Sequence, residues 1–264
     1  MKILYLDCGM GAAGDMLTAA LLELLPADDR DAFITELNAI GIPGVSVAAG
    51  PAERCGVRGT HVSVRVNGTD EYYLMSGHHH DHDGHSHDHE SGNYNGSMHS
   101  IEHVLDHSGV TDKIRTDVMD VYGIIADAES RVHGVPVSEI HFHEVGSLDA
   151  VTDITAVCML MDRIGADIIT ASPVNTGSGT VECAHGILPV PAPATALILE
   201  GIPHYSGEIE CELCTPTGAA LLRHFVTEFG DITEMDITAE GFGMGNRDFE
   251  QVANCVRAVL GEKK

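Results

Sequence analysis

Residues 3–17 read ILYLDCGMGAAGDML. A literal G-x-G-x-x-G occupies 9–14. It lies between an apolar run that suits a buried strand and a run with Met16, Leu17, Ala20, Leu21 and Leu24 at helical spacing. A dinucleotide fold would place a second strand after that helix, with an acid about 20 residues on to hold the ribose. The next segment, DDRDAFITELNAI (28–40), instead has a helical period and is ended by Gly41 and Pro43. Asp15 stands at the helix start, where a pyrophosphate would lie. The helix dipole favours a carboxylate there, and that carboxylate repels phosphate. A phosphate loop of the G-x-x-x-x-G-K type fails at the same residue, because Asp15 replaces the lysine. Asp7 at a strand end and Asp15 at a helix start suit a cation, although either could serve as a cap.

The wider composition agrees with that choice. The chain of 264 residues has 40 acidic and 14 basic side chains, a formal net charge of -26. A field of that sign repels nucleic acid and anionic membrane surfaces and attracts cations. Its simplest consequence is an acidic, solvated surface. No apolar run reaches the ~18 residues of a membrane span. The N-terminus lacks the apolar core and cleavage site of an export signal. Seven cysteines, an odd number, on a chain without such a signal read as reduced thiols in the cytoplasm.

Helical periods cover about 15–25, 28–40, 98–107, 111–133 and 149–164, with two more after PVPAP and after CTPTG. Strands are expected at 45–50 and 57–66, paired with one another, at ADIITAS (166–172) and TGSGTVEC (176–183), and at about 233–240 and 254–260. The mixture predicts an α/β or α+β fold, a mixed sheet with flanking helices. GHHHDHDGHSHDHESGNYNGS (77–97) has almost no apolar residues, so a disordered internal loop is expected at about 70–97, interrupting one globular region.

That loop carries His78, His79, His80, His82, His85, His87 and His89 among three aspartates. Imidazole suits nickel, copper and zinc, and such a tract can gather several ions weakly. HFHEVGSLDAVTD (141–153) is the sharper pattern. In extended backbone His141 and His143 share a face, Glu144 follows, and Asp149 and Asp153 share a helix face. These groups could converge on a divalent ion or act as acid and base; Asp149 could instead cap the helix. His185 lies in CAHGILPVPAPAT (183–195), and Cys211-x-x-Cys214 is a candidate redox or metal pair without a second CxxC.

Taken together the motifs resemble the nickel insertion proteins that complete the nickel-pincer nucleotide cofactor. That family carries D-C-x-S-G-x-x-G-D-M near its N-terminus, matched here at Asp7, Cys8, Gly11, Gly14, Asp15 and Met16 and departing at Gly9 and Met10. HFHEVG with Asp149 and Asp153, CAHGILPVPAPAT, CTPTGAALL (214–222), GFGMGNRD (241–248) and the histidine tract match as well. GMGAAG therefore looks like a variant of this family's loop. The resemblance implies insertion of Ni(II) into pyridinium-3,5-bisthiocarboxylic acid mononucleotide, with one carbon–nickel and two sulfur–nickel bonds formed and CTP consumed with a divalent cation such as Mn or Mg. Within it, His141, His143, Glu144 and His185 are candidates for the reaction centre. Asp7, Asp15, Asp149 and Asp153 are candidates for binding the cation and nucleotide, and the seven tract histidines for collecting nickel. The family's C-terminal nucleotide and assembly domain is expected to be absent, so a partner chain supplying it is implied, and a homo-oligomer is left open. Two other classes compete: a nickel storage or delivery protein without catalysis, and a metal-dependent hydrolase.

Overall fold

The computed structural model describes residues 1–70, 94–142 and 144–263. The histidine tract and His143 lie outside the described residues. The chain opens with β1 (Lys2–Asp7), α1 (Gly14–Glu23) and α2 (Ala27–Ala39). Two helices thus follow one strand, and the βαβ unit of a dinucleotide fold is not formed. A hairpin comes next, β2 (Val45–Arg54) and β3 (Val57–Val66), with the short β4 (Thr69–Asp70) folded back on β3. Then come α3 (Met98–Asp106), α4 (Asp112–His133) and α5 (Leu148–Ile164). The last third holds β5 (Ile168–Ala171), β6 (Val174–Asn175), β7 (Thr180–Cys183), β8 (Gly186–Pro189), α6 (Pro193–Ile198), β9 (His204–Tyr205), α7 (Pro216–Phe225), β10 (Glu228–Phe229), β11 (Asp236–Met244) and β12 (Cys255–Glu262).

The main sheet runs β10-β5-β1-β12-β11-β3-β2. β5 is parallel to β1, and β12 is antiparallel to it. The sheet is mixed and flanked by helices, as the sequence predicts. β1 is central and buried on both faces, which fits its unbroken apolar run. Lys2 pairs with Glu262 and Asp7 with Arg257, so the two chain ends meet at one end of β1 and Asp7 marks the other.

Helix α1 is buried nearly all round, from Gly14 to Leu22, as expected of a helix without a polar face. It lies on β11 at close range. A Cβ on Gly243 would collide with the Met16 carbonyl, and one on Gly241 with that of Ala20. This packing accounts for two glycines of GFGMG. Glu23, at the end of α1, accepts from Thr60 Oγ1 (2.8 Å) and from the Phe242 N–H (2.8 Å), tying the helix to β3 and β11.

Two expectations shift. Residues 94–97 belong to the fold and not to the polar loop. Tyr94 donates to the Gly146 carbonyl, and Ser97 caps α3 in a capping box with Ser100. β11 also begins and ends later than 233–240, because its glycine-rich second half pairs fully with β12.

Candidate functional site

The loop after β1 is fixed from both sides. Cys8 N–H donates to Ser172 Oγ (2.8 Å), and its carbonyl accepts from the N–H groups of Gly11 (2.9 Å) and Asn175 (3.1 Å). Asn175 Nδ2 donates to the Gly9 carbonyl (3.0 Å). On the other flank Ala12 N–H donates to Leu213 O (3.1 Å), and Thr215 N–H to Ala12 O (3.0 Å). Gly11 has φ +80, and a Cβ there would collide with the Leu213 carbonyl. Its glycine thus serves this chain's own backbone, where a dinucleotide loop would use it for pyrophosphate.

Gly14 has a second role. A Cβ on it would sit 2.7 Å from Asp153 Cβ and 3.0 Å from Asp153 Oδ2. The missing side chain lets α5 bring a carboxylate against the N-terminus of α1, where the dipole favours negative charge. Asp15, in the first turn of α1, accepts from Met16 N–H (2.8 Å) and from Asn246 Nδ2 (3.2 Å). Asn246 Oδ1 in turn meets His61 Nε2 at 2.6 Å. Asp7 accepts from Gly9 N–H (3.0 Å) at the end of β1.

Asp149 lies one helical turn before Asp153. It is not the helix cap, because Ser147 holds that position. Asp149 Oδ1 is buried, with no hydrogen-bond partner among the described residues. Tyr94 and Tyr122 stand near it and donate to the Gly146 (2.5 Å) and Val145 (3.0 Å) carbonyls. Burial, and then the Asp149 charge, pushes the Tyr94 phenol up. Burial likewise raises Tyr122, with Tyr94, Asp149 and Asp153 adding to it. Both phenols remain neutral donors in neutral solution.

The second cluster forms around the segment 211–214. Glu144 accepts from Ala184 N–H (2.9 Å), in the two-residue turn between β7 and β8. Burial, with a further push from Glu144, raises the Glu212 carboxyl to about 7, while Arg247 opposes the rise. Arg247 Nη1 lies 2.6 Å from Cys211 Sγ. Cys214 is fully buried, and its thiol is pushed up to about 12 by burial and then by Glu212. Cys8 is buried near it and is raised well above the ordinary thiol value, mainly by burial. All seven cysteines are free. Cys211 and Cys214 therefore occupy different surroundings and form no disulfide.

The structure sets Asp153 against the start of α1, whose first turn holds Asp15; Asp149 lies one turn earlier on α5, and Asp7 ends β1. Glu144 is held by the Ala184 N–H, and its charge acts on Glu212. His185 turns to His133 at the end of α4, with ring centroids 4.9 Å apart. His141 is exposed and bridges Ser97, while Phe142 packs on Tyr122. Four polar residues are additions to the sequence reading: His61, Glu212, Asn246 and Arg247. The last two lie in GFGMGNRD, and Glu212 lies inside the CxxC that drew attention for its sulfurs.

The sequence model described as "Nickel insertion protein" matches residues 4–264. The chain belongs to the nickel insertion protein family. Among its relatives is the pyridinium-3,5-bisthiocarboxylic acid mononucleotide nickel insertion protein of Geobacillus kaustophilus. It is 36% identical over 270 residues, covering 100% of this chain and 60% of that protein. The proteins of the same name from Clostridium kluyveri and Desulfitobacterium hafniense are 37% and 33% identical, with 63% and 59% of their own lengths covered. This chain thus spans about three fifths of the relatives it matches. No solved structure matches it.

For a nickel insertion protein, the implied hard cation can be tested against the donors present. Asp15, Asp149 and Asp153 offer only oxygen, and Asp149 Oδ1, buried without a partner among the described residues, suits an ion. Among the described residues no three His, Cys, Asp or Glu side chains converge as a ready-made metal site. The donors suit a hard cation by type, although no three of them are assembled around one point among the described residues.

Proposed function

We propose that this chain delivers nickel to pyridinium-3,5-bisthiocarboxylic acid mononucleotide and inserts it, as a CTP-dependent nickel chelatase or cyclometallase of the lyase class. A C-terminal partner portion would supply nucleotide handling. The observation that supports the reading is that DCGMGAAGD meets CTPTG through Ala12 and Thr215, GFGMGNRD through Asp15 and Asn246, and α5 through Gly14 and Asp153. Nickel is the substrate and stays Ni(II). The two thiocarboxylate sulfurs bind it, and a ring carbon gives up its proton as the carbon–nickel bond forms. Asp15, Asp149 and Asp153, with Asp7, would hold Mn or Mg, which supplies charge neutralisation for the nucleotide phosphates. The neutral phenols of Tyr94 and Tyr122 keep the walls beside that carboxylate group uncharged. The tract at 78–89 supplies exchangeable nickel. The seven free cysteines support a reducing, cytoplasmic setting.

The test supplies the chain with the C-terminal portion of the Geobacillus kaustophilus relative, CTP, Mg, nickel and the mononucleotide, and measures the nickel-bound product by mass spectrometry. A tract deletion should lose rate at low nickel and recover at saturating nickel. His143→Ala should not recover, because mass action cannot replace a group at the reaction centre. A chain that binds nickel but forms no product under any condition would be a storage protein.

A further inference from the structure

We propose that His133 and His185 form a nickel site on the folded body, a two-imidazole station separate from the histidine tract, with Glu129 orienting His133. The proposal rests on the delivery reading above for the identity of the ion, and deepens it by naming a place where nickel stops.

The two rings come from distant parts of the chain. His133 is the last residue of α4, which Gly134 ends in a left-handed conformation. His185 lies in the turn between β7 and β8. Their ring centroids are 4.9 Å apart, with the planes inclined at 47°. A metal ion about 2.1 Å from one nitrogen of each imidazole would hold the centroids about 4.6–5.3 Å apart, as the angle at the metal opens from a right angle to tetrahedral. The observed spacing falls inside that range. The other close histidine pair differs. His103 and His107 stack at 4.2 Å with planes 28° apart, and His107 Nδ1 meets the His103 carbonyl at 2.8 Å. Stacked rings direct their in-plane nitrogens away from a shared point.

Glu129 supplies the second observation. One helical turn before His133, its Oε2 lies 3.3 Å from His133 Nε2. When Nε2–H donates to that carboxylate, the neutral ring presents the Nδ1 lone pair. Metal-binding histidines are commonly held this way, one nitrogen on the ion and the other donating to a carboxylate. The C-terminal end of α4 also favours positive charge. Both rings are exposed, so the ion can exchange.

The site is built for passage. Among the described residues no group of three His, Cys, Asp or Glu side chains stands ready for a metal. The pair therefore supplies two nitrogens, and water or an incoming ligand completes the coordination. Imidazole suits nickel, and two such ligands hold it less firmly than a closed set. Nickel would arrive and leave as Ni(II) by ligand exchange, with no electron transferred. The location is also apt. Ala184, next to His185, donates to Glu144 (2.9 Å). Two residues further on, the Gly146 carbonyl accepts from Tyr94, which lies five positions after the last histidine of the tract.

The experiment labels histidines of the whole chain with diethyl pyrocarbonate while nickel chloride is titrated, and reads each histidine separately by mass spectrometry. Labelling of His133 and His185 should slow together, with one midpoint, while His103 and His107 stay reactive. In His133→Ala, protection of His185 should be lost and that of the tract kept. Glu129→Ala should move the midpoint of the pair to about 10–100-fold higher nickel. Melting temperatures in metal-free buffer check that both variants remain folded. Unchanged labelling of His133 and His185 at nickel concentrations that saturate the tract would overturn the proposal. So would protection of His185 that survives unshifted in His133→Ala. The measurement needs neither CTP nor the mononucleotide. A protein that protects this pair but forms no product loses the insertion reading alone, and one that forms product without protecting the pair loses only this site.

Discussion

A carboxyl whose titration is raised by burial leaves a mark on stability. Glu212 has a folded value of about 7, against an ordinary 4.5. Between those values the folded state holds a proton that the unfolded chain has released, so stability falls as pH rises through that window and is level above it. The difference is about 3 kcal/mol at its upper limit, and less where water reaches the group. Urea unfolding at pH 5 and at pH 8 should show wild type losing stability across the interval by that order more than Glu212→Gln. Equal losses would mean that Glu212 titrates normally. Such a residue is poorly legible in a sequence. Asp7, Asp15, Asp149 and Asp153 stand out because local spacing puts them at a strand end, a helix start or one helix face. Glu144 and Arg247, whose charges act on Glu212, lie tens of residues from it in sequence. His61 reaches Asp15 only through Asn246, 185 positions further along the chain.

At the level of elements, the three glycines of GMGAAG do different work, and substitution should separate them. Gly11→Ala meets both a left-handed backbone and the Leu213 carbonyl, while Gly14→Ala must push α5 and Asp153 away from α1. Each should cost about 1–3 kcal/mol, read as a lower denaturant midpoint. Gly14→Ala should also weaken cation-dependent nucleotide binding. Gly9→Ala meets only the Asp7 carboxylate tip, at 3.1 Å, and should cost less than about 1 kcal/mol. Comparable losses at Gly9 and Gly11 would contradict this division. The strand–loop–helix opening and the failed dinucleotide unit were legible because helical period persists through α2. The late start of β11 was not, since glycines that make room for α1 weaken the pattern that marks a strand.

At the scale of the whole molecule, the histidine tract differs from the rest of the chain in having almost no apolar residues. Removing 78–89 should leave the melting temperature in metal-free buffer unchanged within a degree or two, because almost no apolar surface goes with it. The same deletion should remove most bound nickel in calorimetry, and wild-type binding should weaken as pH falls through about 6.5, where protons compete for imidazole. An undiminished nickel count after deletion would remove the tract from the account. The antiparallel pairing of β1 with β12 has a mechanical consequence for any tethered component. Lys263 N–H donates to the Met1 carbonyl (2.9 Å), so a polypeptide joined after residue 263 departs beside residue 1. The carboxylates sit at the far end of β1, about 20 Å away by strand rise. A flexible leash needs roughly a dozen residues before its average span covers that distance. A shorter leash would hold its cargo out of reach and lower the local concentration at the site almost to nothing. A freely diffusing partner, or one carried by a neighbouring copy, escapes this constraint.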